Sequence, residues 1–353
     1  MSKLKEKARD QKIDIARGIA IFSVVLGHIA TGLESHIIYL FHMPFFFILS
    51  GYFYKPEPKL GKYLNKKILS LLIPYFIYLF ILKFSLIADV FLNLIKTPSG
   101  ETAHAFIKYL YQLNYGGQTL RGTTGVFWFV TCLFLTQQLF NLVRKFTNSR
   151  PVILVIAAAL YSLAVFDQTR TVHIVAPWAL NIVSCAFLFY TVGSLYGQYL
   201  FKHKNKTLTA AAIAIATLSI LLIISGAKLS FDMKHAYYGY FLISPLAALS
   251  LTKLLALISS EFLSKNQWTH RVLSYVGTAS LTIMYLHRFI EYNLPRFLQG
   301  HPVFEAVIIT ISCCALHKLI LSVPLSRALF LGSIKDIKAF QLRPRFRAPA
   351  KVS

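Results

Sequence analysis

Asp14, Arg17, His28, His42, His287, Arg288 and Glu291 stand in stretches that are otherwise strongly apolar. An ionisable side chain in hydrocarbon is costly, so each of these is a candidate for function. Histidine exchanges protons near neutral pH, because its ordinary pKa is about 6.5. Histidine is therefore a candidate for general acid–base work, and a nearby guanidinium or carboxylate for a hydrogen-bonded or charged partner. Arg17 and His28 are eleven residues apart. That is close to three helical turns, so a helix puts both on one face, about 16 Å apart along the axis. Asp14 falls nearby on the same face. His42 follows His28 after a short turn and sits about 7 Å into the next apolar run, at a depth similar to that of His28. His287 and Glu291 are one helical turn apart and are expected to hydrogen-bond along one face.

Helices that cross a membrane must position these groups. About 20 apolar residues span a hydrocarbon core of about 30 Å. Ten runs meet that need: 13–32, 37–54, 68–95, 124–143, 151–167, 174–201, 207–227, 235–258, 272–292 and 303–324. The third is long and the fifth short. The first is followed at once by a second of similar strength, so it reads as a span and not as a cleaved signal. Depth then brings His28, His42, His287, Arg288 and Glu291 toward one level, near the outer ends of three spans. The expected fold is all-α, a polytopic membrane bundle of about ten helices forming a single domain over 1–353.

Composition agrees with spans and excludes other classes. The 353 residues are 56% hydrophobic and 14% charged. A soluble domain carries about 25% charged residues, and a disordered chain lacks the 29 Phe and 19 Tyr found here. The net charge of +24 would point to nucleic acid in a soluble protein. With the N-terminus placed inside, however, 26 of the 37 Lys and Arg fall in inner segments and 7 in outer ones. That is the positive-inside pattern, so both termini are expected to be cytoplasmic and no nucleic acid partner is expected. Cys132, Cys185, Cys313 and Cys314 all lie within spans, where they read as small packing residues, and neither a disulfide framework nor a zinc spacing is present.

Each candidate also has a plain structural reading. An intramembrane histidine often serves as an interhelical hydrogen-bonder, and Arg288 can reach outward to water. Trp128 and Trp178 are expected in an aromatic belt, His317 and Lys318 at the inner interface. Lys62, Lys66, Lys67 and Ser70 form a cationic inner patch that either reflects topology alone or seats a polyanion. The outer segment 96–123, with Tyr109, Tyr111, Tyr115 and Gly116-Gly117, reads as an interfacial loop or as a lid whose aromatic rings could stack on a sugar.

Several of these residues lie in recognisable motifs. Asp14-Ile-Ala-Arg17-Gly18 with Leu26-Gly27-His28, and Phe41-His42-Met43-Pro44 running on to Leu49-Ser50-Gly51-Tyr52, resemble the first two helices of the integral-membrane acyltransferase family 3. Leu72-Ile73-Pro74-Tyr75, Phe127-Trp128-Phe129, Ser280 and Tyr285-Leu286-His287 are similar to its later segments. Within the family, the chain most resembles the fucose 4-O-acetylase-like branch. One departure stands out: where the family often has two arginines three apart, this chain has Lys67 and Ser70. The resemblance implies a multi-pass protein of the inner (plasma) membrane that moves an acetyl group from cytoplasmic acetyl-CoA to a carbohydrate hydroxyl, on a surface polysaccharide or a lipid-linked sugar. It implies His28 as general base, with Asp14, Arg17, His42, His287 and Arg288 also catalytic. Arg17, Lys66 and Lys67 would hold the donor, no metal would take part, and His42, Arg288 or Tyr285 would steady the oxyanion. On the residues alone two other classes stay open: a proton-coupled sugar transporter or flippase, and a non-catalytic membrane module with structural histidines.

Overall fold

A computed structural model describes residues 11–170, 174–202 and 204–341. The chain ends expected on the cytoplasmic side, with Lys3, Lys5, Lys7 and Arg9 at one and Arg343, Arg345, Arg347 and Lys351 at the other, lie outside the described residues. Fifteen α-helices follow in order: α1 (Gln11–Ile29), α2 (Leu33–Tyr52), α3 (Leu60–Lys67), α4 (Ile73–Lys96), α5 (Gly100–Tyr115), α6 (Trp128–Phe146), α7 (Arg150–Gln168), α8 (Leu180–Phe201), α9 (Lys206–Ile224), α10 (Ile243–Ile258), α11 (Gln267–Thr278), α12 (Ser280–Tyr292), α13 (Pro302–Ser322), α14 (Pro324–Leu331) and α15 (Ile334–Gln341). The only β pairing among the described residues is an isolated bridge between Asp232 and Tyr237. Helices dominate because lipid offers the backbone no hydrogen-bond partners, so each span must satisfy its own N–H and C=O groups.

The chain is a polytopic helical membrane protein, with eight helical stretches among the described residues long and apolar enough to span. The other two expected spans are less simple. α1 carries Lys12, Asp14, Arg17 and His28 within 19 residues. The run 272–292 is broken between Thr278 and Ser280, giving α11 and α12, neither longer than 13 residues. The long third run begins earlier than expected: α3 passes through a π-helical turn at Ile68–Leu72 into α4, a continuous helical stretch of 37 residues. The eighth is shorter, since residues 235–242 form loop and α10 starts at Ile243. Segment 96–123 is largely helical, α5 being started by a reciprocal capping box between Ser99 and Thr102.

Lipid-facing helices bury a narrow stripe. α7 buries Ile153, Ala157, Tyr161 and Ala164, and α9 buries Ala212, Ala216, Ser219 and Ile223, both at three- and four-residue spacing. The inner helices pack through glycine instead. α2 and α8 touch backbone to backbone: a Cβ on Gly51 would overlap the Tyr190 carbonyl oxygen, and one on Gly193 the Ile48 carbonyl oxygen. α1 and α11 do the same, Gly18 against Leu273 and Gly277 against Asp14. Small residues let membrane helices approach this closely.

Past α13, α14 packs back against α4, and α15 packs against α14. Gly332, in the left-handed region at φ +58°, caps α14 and lies against the backbone of Ser70 in the π-turn. Arg327 donates from Nε and Nη2 to the two Asp336 oxygens at 3.0 and 2.9 Å. That bidentate pair, with Ser333 donating to the same carboxylate, holds Asp336 down to about 2. A depressed carboxylate stabilises above its unfolded value of about 3.9 and loses that contribution only as pH falls through its folded value. The clamp is therefore expected to stay closed at pH 4. Asp336→Asn should open it at pH 7, read as faster tryptic cleavage at Lys335 and Lys338. Equal cleavage rates would show that the pair does not hold α15.

Candidate active site

Near the expected outer end, a cavity of about 350 Å³ opens between α1, α2, α6, α12 and the loops 116–127 and 225–242. Its deeper wall is apolar, with Ile21, Val24, Met43, Phe46, Phe129, Leu281 and Met284. Ile21 is seven residues before His28, so the space runs about 10 Å inward from the histidine level. His28, His42, His287, Ser280 and Arg288 all line it. The rings of His28 and His287 stack with centroids 5.3 Å apart and planes 29° apart. Tyr39 stands between the other two histidines, edge-on to His28 at 6.3 Å and to His42 at 4.8 Å. Its hydroxyl lies 3.5 Å from His28 Nδ1.

Hydrogen bonds define two of the three rings. His42 Nδ1 donates to the Ile38 carbonyl and His287 Nδ1 to the Ile283 carbonyl, each at 2.8 Å. A carbonyl oxygen only accepts, so both Nδ1 atoms carry hydrogen and the neutral rings present Nε2 lone pairs. His287 Nε2 is fully buried and has no partner among the described residues. Neutral His42 therefore has no Nε2 hydrogen to give an oxyanion, contrary to one expected role. Arg288 remains as a donor; its Nη1 bonds Glu291 and its Nη2 donates to the Tyr292 hydroxyl at 3.2 Å.

Other expected residues lie elsewhere. Asp14 and Arg17 do not line the cavity. They pair at 3.4 Å near the start of α1, and Arg17 reaches over the Phe53 ring. Lys66 is exposed at the end of α3, while Lys67 lies over the Tyr63 ring just before the π-turn. Glu291 bonds Arg288 and not His287, because a guanidinium three residues away offers charge where the imidazole is already satisfied by its own helix. Tyr285 is excluded from the cavity. Two residues before His287, it points about 200° away and stacks on Tyr78 at 4.4 Å. Trp128 is not in an aromatic belt: it is 6% exposed and forms cavity wall. His317 is not interfacial either; it is 4% exposed and bonds Thr282 across α12 and α13 at 2.8 Å. α5 buries no residue, and of segment 96–123 only Arg121 and Gly122 reach the cavity.

Sequence reading missed Tyr39, Arg121, Asp232, Lys234, His235 and Tyr292, all of which line this space. Tyr39, three residues before His42, had a helical-face signal. The rest sit in loops or at a helix end, where spacing carries little information. Asp232 accepts from His235 Nδ1 at 2.9 Å and so raises the His235 pKa. Lys234 donates to the Leu120 carbonyl at 3.0 Å. Burial lowers its pKa, Asp232 opposes that, and Arg121 and Arg288 add to it. Tyr39→Phe removes the hydroxyl but keeps the ring, so turnover is expected to fall about tenfold if the hydroxyl orients His28, in line with ~1–1.5 kcal/mol for one hydrogen bond. Steady-state kinetics checks this, and unchanged turnover would leave Tyr39 as packing alone.

The cavity can thus accept a proton, donate hydrogen bonds to an oxyanion and hold a small apolar group. Among the described residues no three His, Cys, Asp or Glu side chains are arranged to hold a metal ion. A comparison with protein families finds that the acyltransferase 3 model, described as an acyltransferase domain, matches residues 10–321. No curated protein and no solved structure matches.

Proposed function

Because the chain belongs to the acyltransferase 3 family, we propose that it is a membrane O-acetyltransferase moving an acetyl group from cytoplasmic acetyl-CoA to a hydroxyl of a surface or lipid-linked carbohydrate. Family membership makes an acyltransferase the general reading, in place of a transporter or a non-catalytic module. The observation that carries the finer proposal is the stacked His28–His287 pair beside Arg288 in one cavity. In this reading the protein lies in the inner membrane with both termini cytoplasmic, and the acetyl group reaches the cavity as the thioester of the donor.

The residues divide the work by position. Arg17, Lys66 and Lys67 at the inner end attract the anionic donor as point charges. The apolar wall from Ile21 and Val24 to Met284 receives the acetyl thioester and excludes water. An acceptor hydroxyl, entering from the outer mouth, attacks the thioester carbonyl carbon as His28 takes its proton. The carbonyl electron pair moves to oxygen, where Arg288 donates to it. Collapse breaks the C–S bond, and the imidazolium returns the proton to the leaving thiolate. A second assignment of the base rests on a specific observation: His287, which lines the same cavity, has Nδ1 anchored and a buried, unpartnered Nε2. Purified protein in nanodiscs, given radiolabelled acetyl-CoA and membrane extract, should transfer label to a carbohydrate fraction. Absence of label there, with sugar flux in proteoliposomes, would replace this function with transport.

A further inference from the structure

Charge at the mouth of the cavity is unbalanced in a specific way. Three cations from three separate segments meet there: Arg121 from the loop before α6, Lys234 from the loop before α10, and Arg288 from α12. Two carboxylates are nearby, but both are already engaged, Asp232 by His235 and Glu291 by Arg288. The Arg121 guanidinium has no hydrogen-bond or ion-pair partner among the described residues. Lys234 has only the neutral Leu120 carbonyl. Asp232 acts on Lys234 only through space, so neither Arg121 nor Lys234 has a paired carboxylate, and the mouth keeps a net positive charge. Burial chiefly lowers the pKa of the half-buried Lys234; Asp232 opposes this, and Arg121 and Arg288 add to it.

The loops that carry these groups are built to hold them in place. Gln118 donates to the Lys234 carbonyl and Lys234 to the Leu120 carbonyl, so the loops 116–127 and 225–242 are stitched together across the mouth. Gly125 lies beside the ammonium: a Cβ there would stand 3.2 Å from Lys234 Nζ. Positive-inside bias does not account for this cluster, because it lies at the expected outer end, where cations are few.

We propose that the acceptor carries an anionic group, a carboxylate or a phosphate close to the acetylated hydroxyl, and that Arg121 and Lys234 hold it at the cavity mouth. Arg288 follows His287 directly in the chain, so an anion held by these loops lies next to the histidine pair. Arg121 suits a planar or tetrahedral oxyanion through paired N–H donors, while Lys234 adds a point charge. The inference names the substrate class of the acetyltransferase proposed above and rests on that reading. An acidic glycan and a lipid headgroup would present the same chemistry; the commitment here is to the glycan.

The test compares full-length wild type with Arg121→Gln/Lys234→Gln in phosphatidylcholine nanodiscs. Probes are glucuronic acid, glucose 6-phosphate, neutral glucose and glycerol 1-phosphate, and the readouts are the shift of the thermal midpoint on titration and acetyl transfer from labelled acetyl-CoA. Both anionic sugars should bind wild type more tightly than glucose does. The double variant should lose that preference, its affinity for them falling on the order of tenfold or more, ~1.4 kcal/mol per factor of ten. Equal binding of glucose by wild type, or an undiminished preference in the variant, overturns the proposal. Glycerol 1-phosphate binding as tightly as glucose 6-phosphate overturns it too, in favour of a lipid headgroup. Should the double variant fail to fold, Arg121→Glu alone, at an exposed position, must abolish the preference, and its retention counts against the proposal. If no acetyl moves with any acceptor, the acetyltransferase reading fails, while the binding comparison still decides the anion site.

Discussion

His28→Ala and His287→Ala are each expected to leave a folded protein that has lost most acetyl transfer, and their unequal losses identify the base. General-base catalysis contributes about 10²–10⁴-fold. The histidine that takes the proton should show a loss in that range, and its stacked neighbour, which positions the ring and shapes the cavity, about tenfold. If His28 is the base, His28→Ala falls to near background and His287→Ala retains a measurable rate. If the anchored His287 Nε2 is the base, the order reverses. Single-turnover transfer from labelled acetyl-CoA in nanodiscs measures both rates, with size-exclusion profiles as the check on folding. Full activity in both variants would remove the histidine pair from the mechanism altogether. Arg288→Gln provides a further contrast: it can still donate a hydrogen bond but lacks the charge, so its loss should fall on chemistry and not on donor binding.

The second large effect is expected at a residue with no chemistry. Gly18 and Gly277 each lie ten residues before a cavity histidine, His28 and His287 respectively. They meet where α1 and α11 touch backbone to backbone, and ten residues of helix is about 15 Å. The crossing therefore anchors α1 about 15 Å from His28, while His287 follows Gly277 across the α11–α12 break. Gly277→Val would drive its side chain into the Asp14 carbonyl oxygen, an obstacle no rotamer change can avoid. The cost should reach or exceed the upper end of the ~1–3 kcal/mol typical of overpacking. Parting the helices should also separate His28 from His287 and remove activity in whatever protein still folds. Gly61→Ala is the control, since nothing lies within 4 Å of a Cβ there and helix propensity favours alanine by roughly 0.5–1 kcal/mol. A Gly277→Val protein with wild-type thermal midpoint and activity would show that the crossing has slack.

Much of the site was legible because depth in a membrane can be counted along a helix. His28, His42, His287 and Arg288 share a level by residue number, and the structure brings them to one cavity. Counting says nothing about direction around the axis unless partners are known, so Tyr285 was placed near chemistry that it faces away from. The expected His287–Glu291 bond failed for a local reason: the imidazole found the carbonyl of its own preceding turn, and Glu291 found a charge. Arg121, Asp232 and Lys234 were invisible as a group, since the loops that hold them are more than a hundred residues apart and are joined by hydrogen bonds of Gln118 and Lys234.

The apolar runs and the bias of the cations were enough by themselves to make this chain a helical membrane protein, because hydrocarbon admits few alternatives for backbone and charge. The motifs around Arg17, His28 and His42 were enough to suggest acyl transfer. Tertiary structure alone decided that the 272–292 run breaks into two helices, that Asp14 and Arg17 pair away from the histidines, and that the mouth of the cavity is positive. These outcomes depend on which helix faces which, and that is settled by backbone contacts at Gly18, Gly51, Gly193 and Gly277. A glycine in the sequence gives no sign of the neighbour whose carbonyl will occupy the space of its missing side chain.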